Sequence, residues 1–255
     1  MTEKIIGLTE WFATAPGEYL LAWERAQFDL AVADLFGFNA LQLGLPELDG
    51  LHANRMPQRW LALPEALAWE GALSRERRPP RLALVTDAAA LPFPEASLDL
   101  VVLPHTLEFS ADPHHVLREV ERVLVPEGRV VISGFNPASL WGFRQSRGRL
   151  LGAPQLYLPE AGDFIGPWRL RDWLRLLSFE IESDRFGCYR PAMHSQKWLN
   201  RYAWLDRAGA RWWPIFGAVY FVVAVKRVRG MRLLGPAWKP RRATASAPVS
   251  VANRH

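Results

Sequence analysis

Cysteine is nearly absent from this chain: Cys188 stands alone among 255 residues. One thiol excludes an intrachain disulfide, and with no Cys or His cluster at ligand spacing no metal site is expected. A long apolar run is missing too. The longest, residues 214–225, is about half of the roughly 20 residues a membrane span requires, and it reads as a strand. At the N-terminus MTEKIIGLTEW mixes charged with apolar residues and lacks the continuous apolar stretch of a secretory signal. A protein of the reducing cytoplasm is the expectation. Carboxylates are missing from one region only. From Lys226 onward there are eight Lys or Arg and no Asp or Glu, so the overall +5 conceals a body of 23 basic against 26 acidic residues.

What is present fits one substantial core, with 49% hydrophobic and 22% charged residues. The chain is organised around residues 87–137. Two short apolar runs there, 98–103 and 130–132, are rich in Val and Leu without alternation, as strands buried on both faces of a parallel sheet should be. Between them Val116, Leu117, Val120, Val123 and Leu124 share one helical stripe, while Arg118, Glu119, Glu121 and Arg122 turn to water. Strand, helix, strand with a right-handed crossover is the reading.

The same logic extends in both directions. Residues 16–36 read as an amphipathic helix with Leu20, Trp23, Gln27, Leu30, Ala31 and Leu35 inward and Gly37 as its stop. Strands are expected at 39–44, 59–63, 81–86, 129–133, 179–186 and 218–226, with a short Ala-rich helix and a charged break within 66–80 and a helix at 167–177. Residues 1–37 form a helical lead and 38–226 the main domain, interrupted by insertions at 138–166 and 189–215. Residues 227–255 are a basic tail expected to be disordered, either solvated or in contact with nucleic acid or another acidic surface. Seven of the twelve Trp fall between residues 141 and 213. Their concentration suggests a lid with planar or apolar walls, or hydrophobic minicores that anchor long loops.

The strings DAAALPFP at 87–94, SLDLVV at 97–102, HTLE at 105–108 and RVLVPEGR at 122–129 resemble the class I S-adenosylmethionine-dependent methyltransferases of the type 11 group. The resemblance implies a Rossmann-like α/β sandwich with a seven-stranded, mostly parallel sheet whose last strand is antiparallel. It also implies S-adenosylmethionine as cofactor and an unidentified methyl acceptor, a small molecule among the options. By position it assigns cofactor contacts to Gly44 after the first strand, to Glu65 after the second for the ribose, and to Asp87, Ala88 and Leu91 around the adenine. Pro104 and His105 follow at the end of the fourth strand. A turn-forming Asp is the rival role for Asp87, and a helix-starting Glu for Glu65. His105 is the candidate catalytic base, or a residue that orients its loop. Asn136, Trp141 and Trp198 are the candidate substrate contacts. The expected Gly-rich loop here reads QLGLPELDGL, keeping Gly44 but placing Pro46 and Glu47 where further glycines would sit. That leaves a second reading, a noncatalytic binding or scaffold protein on the same fold.

Overall fold

The computed structural model describes residues 8, 10–64, 82–152, 157–159 and 162–227. Helix α1 (Ala15–Val32) precedes β1 (Asn39–Leu43), β2 (Gln58–Leu63), β3 (Leu82–Val85) and β4 (Leu98–Pro104). Then come the short α2 (Thr106–Phe109), α3 (Pro113–Val123) and β5 (Leu124–Phe135). The second half holds α4 (Leu140–Leu150), α5 (Pro167–Leu176), β6 (Phe179–Gly187), α6 (Gln196–Arg201), α7 (Trp204–Trp212) and β7 (Val219–Lys226). The seven strands form one sheet in the order β3-β2-β1-β4-β5-β7-β6. All neighbours are parallel except β7, which runs antiparallel to both β5 and β6.

Burial on both sheet faces explains the unalternating runs. Leu100 and Val102 of β4 join Val131, Phe221 and Val223 on one face, where α1 supplies Leu20, Leu21, Phe28 and Val32. Val101 and Leu103 join Val130, Ile132 and Val222 on the other, under Val116, Leu117 and Val120 of α3 and Leu170 and Leu174 of α5. Three layers result, helix on sheet on helix.

Three expectations need correction. In α1 the inward stripe is Leu20, Leu21, Glu24, Phe28 and Val32, while Leu30 is 66% exposed. A carboxylate sits in the middle of that stripe, which hid its true phase from a reading of apolar spacing. Insertion 138–166 is not a structureless lid, because Ser139 accepts a hydrogen bond from Gly142 N at 3.0 Å and starts the 11-residue α4. Insertion 189–215 likewise contains α6 and α7. The expected helix within 66–80, Glu65, and the tail beyond residue 227 lie outside the described residues.

Candidate active site

Strand order reverses at β1, whose two neighbours β2 and β4 lead away in opposite directions. At such a switch point the connections diverge and leave a crevice at the carboxyl ends of the strands. Here the crevice is an open cleft. Leu43 and Gly44 line it after β1, Leu63 and Pro64 after β2, Asp87 and Ala88 after β3, and Pro104, His105 and Thr106 after β4. Leu45, Pro46 and Glu47 of the first loop and Phe109 close its sides. The expected contacts Gly44, Asp87, Ala88, Pro104 and His105 therefore meet in one place. Leu91 is buried beside them in the core instead, its N–H donating to Glu119 Oε1 at 2.9 Å.

The first loop lacks glycines but not structure. Gln42, on β1 and fully buried, donates from Nε2 to the carbonyls of Gly44, Leu45 and Leu48 at 3.3, 3.0 and 2.6 Å, and accepts from Gly50 N at 2.8 Å. One side chain thereby fixes a loop that includes Leu45 at φ 39°, a left-handed conformation that costs a leucine about 1 to 2 kcal/mol. Gly44 itself sits at φ 74°, and a Cβ there would stand 3.3 Å from Thr106 Oγ1, which donates to Leu43 O at 2.6 Å. Both oxygens of the Glu47 carboxylate are hidden from solvent and have no hydrogen-bond partner among the described residues. An orphaned carboxylate on a ligand cleft is costly unless a cation completes it.

Around His105 only part of the arrangement is legible from the residue order. His105 adopts φ 52° at the end of β4, and its side chain is enclosed between Phe12 and Phe135, with ring centroids at 5.7 and 4.4 Å. Its Nδ1 meets Glu108 Oε2 at 2.8 Å, and its Nε2 meets Glu24 Oε1 of α1 at 3.0 Å in an ion-pair contact off the hydrogen-bond line. Burial acts to lower the imidazole pKa, but the two carboxylates outweigh it and push it up to about 10. Burial raises the Glu108 carboxyl, which His105 pulls back down. Glu108 Oε1 also accepts from Phe135 N, and the Tyr220 hydroxyl lies near it over Gly134, where any Cβ would fall 2.4 Å from that hydroxyl. That glycine makes room for buried side chains, not for a ligand.

The candidate substrate contacts are not brought to the cleft. Asn136 is buried, donating to Ile215 O and Gly217 O at 2.8 and 2.9 Å and tying one insertion to the end of β5. Trp141 is wholly buried against Trp11, Tyr19 and Tyr157, its Nε1 donating to Arg190 O at 2.7 Å. It anchors the insertion, the minicore role. Trp198 is 49% exposed on α6, stacked on Tyr202 and away from the cleft lining. Glu24, Gln42 and Glu47 were the unread residues: a Glu within an apolar stripe was the only available signal.

The fold is the Rossmann-like sandwich that class I S-adenosylmethionine-dependent methyltransferases share. Residues 64–132, about a quarter of the chain, match the methyltransferase domain family. Among solved structures, the fold matches the methyltransferase bound to the Trm112 methyltransferase activator of Haloferax volcanii at a TM-score of 0.59 and 18% identity, covering 87% of this chain and 98% of that one. A Thermotoga maritima S-adenosylmethionine-dependent methyltransferase matches at a TM-score of 0.55 and 17% identity over 82% of this chain and 92% of its own. In sequence the chain is 37% identical to the uncharacterized protein YafS of Escherichia coli (strain K12) over 142 residues, 55% of this chain and 53% of YafS. It is 39% identical to a malonyl-[acyl-carrier protein] O-methyltransferase of Halorhodospira halophila over 67 residues, 26% of this chain and 22% of that protein. The chain thus spans about half the length of YafS and less of the other.

Proposed function

We propose that this chain is an S-adenosylmethionine-dependent methyltransferase that moves the methyl group in line onto an acceptor reaching the carboxyl edge of the sheet. The observation that carries the reading is the cleft itself, lined by a Gln42-braced loop whose Glu47 carboxylate has no hydrogen-bond partner among the described residues and by Asp87 and Ala88 of the β3 turn. The residues present fit the cofactor. Gly44 and Thr106 leave backbone room for its methionine portion, Leu63 and Ala88 wall a planar ring, and Glu47 supplies the counter-charge for a cation. Asp87 Oδ1 accepts from Ala89 N at 3.0 Å, so the turn role is filled by one oxygen and an acceptor position remains on the other. When bound, S-adenosylmethionine supplies a methyl group on a sulfonium, already an excellent leaving group. The protein needs chiefly to align the acceptor and keep water out, so few catalytic side chains are required. His105, enclosed and held as an imidazolium at neutral pH, acts in this reading as a positioning residue that fixes the β4 turn under the cleft.

Calorimetric titration with S-adenosylhomocysteine tests the reading. Micromolar binding is expected, weakened about 3- to 100-fold by Asp87→Ala through loss of a polar contact. No binding by the folded protein would favour the noncatalytic alternative.

A further inference from the structure

Two helices that the cleft does not use turn the wrong chemistry outward for a surface facing water. On α4 the exposed stripe is Leu140, Phe143, Arg147, Leu150 and then Leu151, at 59, 66 and 85 and 68% exposure for the four apolar members in order. These positions recur at helical spacing, so the apolar and basic face is a single one. The opposite face, Trp141, Gly142 and Gln145, is buried. On α7 Gly209 lies against the Tyr189 ring and Asp206 points inward, taking Arg190 Nε at 2.9 Å and Tyr189 N at 3.2 Å. The outward face is then Trp204, Arg207 and Arg211, with Trp212 at its margin and Trp213, Ile215 and Phe216 following. Trp204, Trp212, Trp213 and Phe216 are 61, 72, 53 and 48% exposed.

Charge has one sign across both segments. Residues 138–152 contain three Arg and no carboxylate, and residues 196–216 contain Lys197, Arg201, Arg207 and Arg211 against the inward Asp206 alone. Indole rings, aliphatic side chains and guanidinium groups on one outward helical face are suited to the headgroup boundary of a bilayer. The aliphatic members decide against RNA, which has no use for Leu140, Leu150, Leu151 or Ile215. We propose that the outward faces of α4 and of α6–α7 form a docking surface for an anionic lipid bilayer. Both segments leave the sheet at its carboxyl edge, the edge that carries the cleft, so docking brings the cleft to the headgroup level. The proposal does not depend on methyl transfer.

The test is co-sedimentation of the full chain with vesicles of phosphatidylglycerol and phosphatidylcholine, with pure phosphatidylcholine as the neutral probe. Binding is expected to the anionic vesicles, with a blue shift of Trp emission, and at least tenfold weaker to the neutral ones. Removing one cation should weaken it about fivefold, so Arg207→Ser with Arg211→Ser should cost more than tenfold. Trp204→Ala with Trp212→Ala should reduce the blue shift, and Phe143→Ser with Leu150→Ser should weaken binding with an unchanged melting temperature. S-adenosylhomocysteine affinity, measured in parallel, should stay constant in all three. Failure to bind anionic vesicles, binding undiminished in the folded variants, or displacement of the vesicles by single-stranded RNA would overturn the proposal.

Discussion

Glu47 and Glu24 are both buried carboxylates, and their surroundings give them opposite roles. Glu24 meets a cation inside the protein, His105, while the Glu47 carboxylate has no hydrogen-bond partner among the described residues. If Glu47 faces the cofactor's ammonium, Glu47→Gln should weaken S-adenosylhomocysteine binding about 10- to 100-fold, as expected for loss of a charge-assisted hydrogen bond. 5′-Methylthioadenosine, which lacks the amino-acid portion, should bind the variant and the parent alike. Equal losses for both ligands would move Glu47 away from the ammonium. The Glu24, His105 and Glu108 cluster has a pH signature instead. Its imidazole pKa of about 10 in the folded state lies above the usual 6.5 of an unfolded His. The folded state therefore holds the proton more tightly, and this stabilisation is complete below about pH 6.5 and is lost as pH rises through about 10. The raised Glu108 carboxyl pulls in the same direction. Melting temperature should fall from pH 6.5 to 10, and Glu24→Gln should lower it at pH 6.5 by roughly 6–12 °C, about 3 kcal/mol, while flattening the alkaline fall. A parent melting temperature that stays level to pH 9.5 would contradict the ion cluster.

At the scale of elements, Gln42 replaces several glycines. A Gly-rich loop follows a ligand because its backbone is small and unrestrained, whereas this loop is held in shape by one buried amide. Gln42→Ala should strand the Gly50 N–H and cost about 1–3 kcal/mol, and it should reduce S-adenosylhomocysteine affinity at least tenfold at temperatures where the protein is still folded. Melting curves paired with calorimetry separate the two effects. This loop also shows where sequence reading stops. β4, α3 and β5 were legible because they are local: a Val and Leu run buried on both faces, or a helical stripe such as Val116, Leu117, Val120 and Val123, carries its structure in its own spacing, though Leu124, read as the fifth member of that stripe, begins β5 instead. The role of Gln42 depends on carbonyls up to six residues away in a turn of no standard type, and that of Glu24 on a histidine 81 positions later. Tertiary polar pairs leave no period behind them. Trp141 and Asn136 misled for the converse reason, since a Trp or Asn after a strand looks the same whether it meets a ligand or a neighbouring loop.

Across the whole molecule, α1 is synthesised early and rests on β7, the last strand of the sheet in chain order. Phe28 packs edge-on against Phe221 of β7 with ring centroids 4.8 Å apart, Tyr19 donates to Asp206, and Trp11 Nε1 donates to Tyr157 O at 2.7 Å. During translation at about 5–20 residues per second, the roughly 190 residues between Phe28 and Phe221 take about 10–40 s to emerge. For that interval the helix has no β7 to cover Phe28. Its docking thus waits for the insertions and β7, which complete the face it occupies. Nascent chains arrested before Val219 should leave α1 open to proteolytic cleavage, and extension past β7 should protect it, so a segment made early serves as the closing piece of assembly.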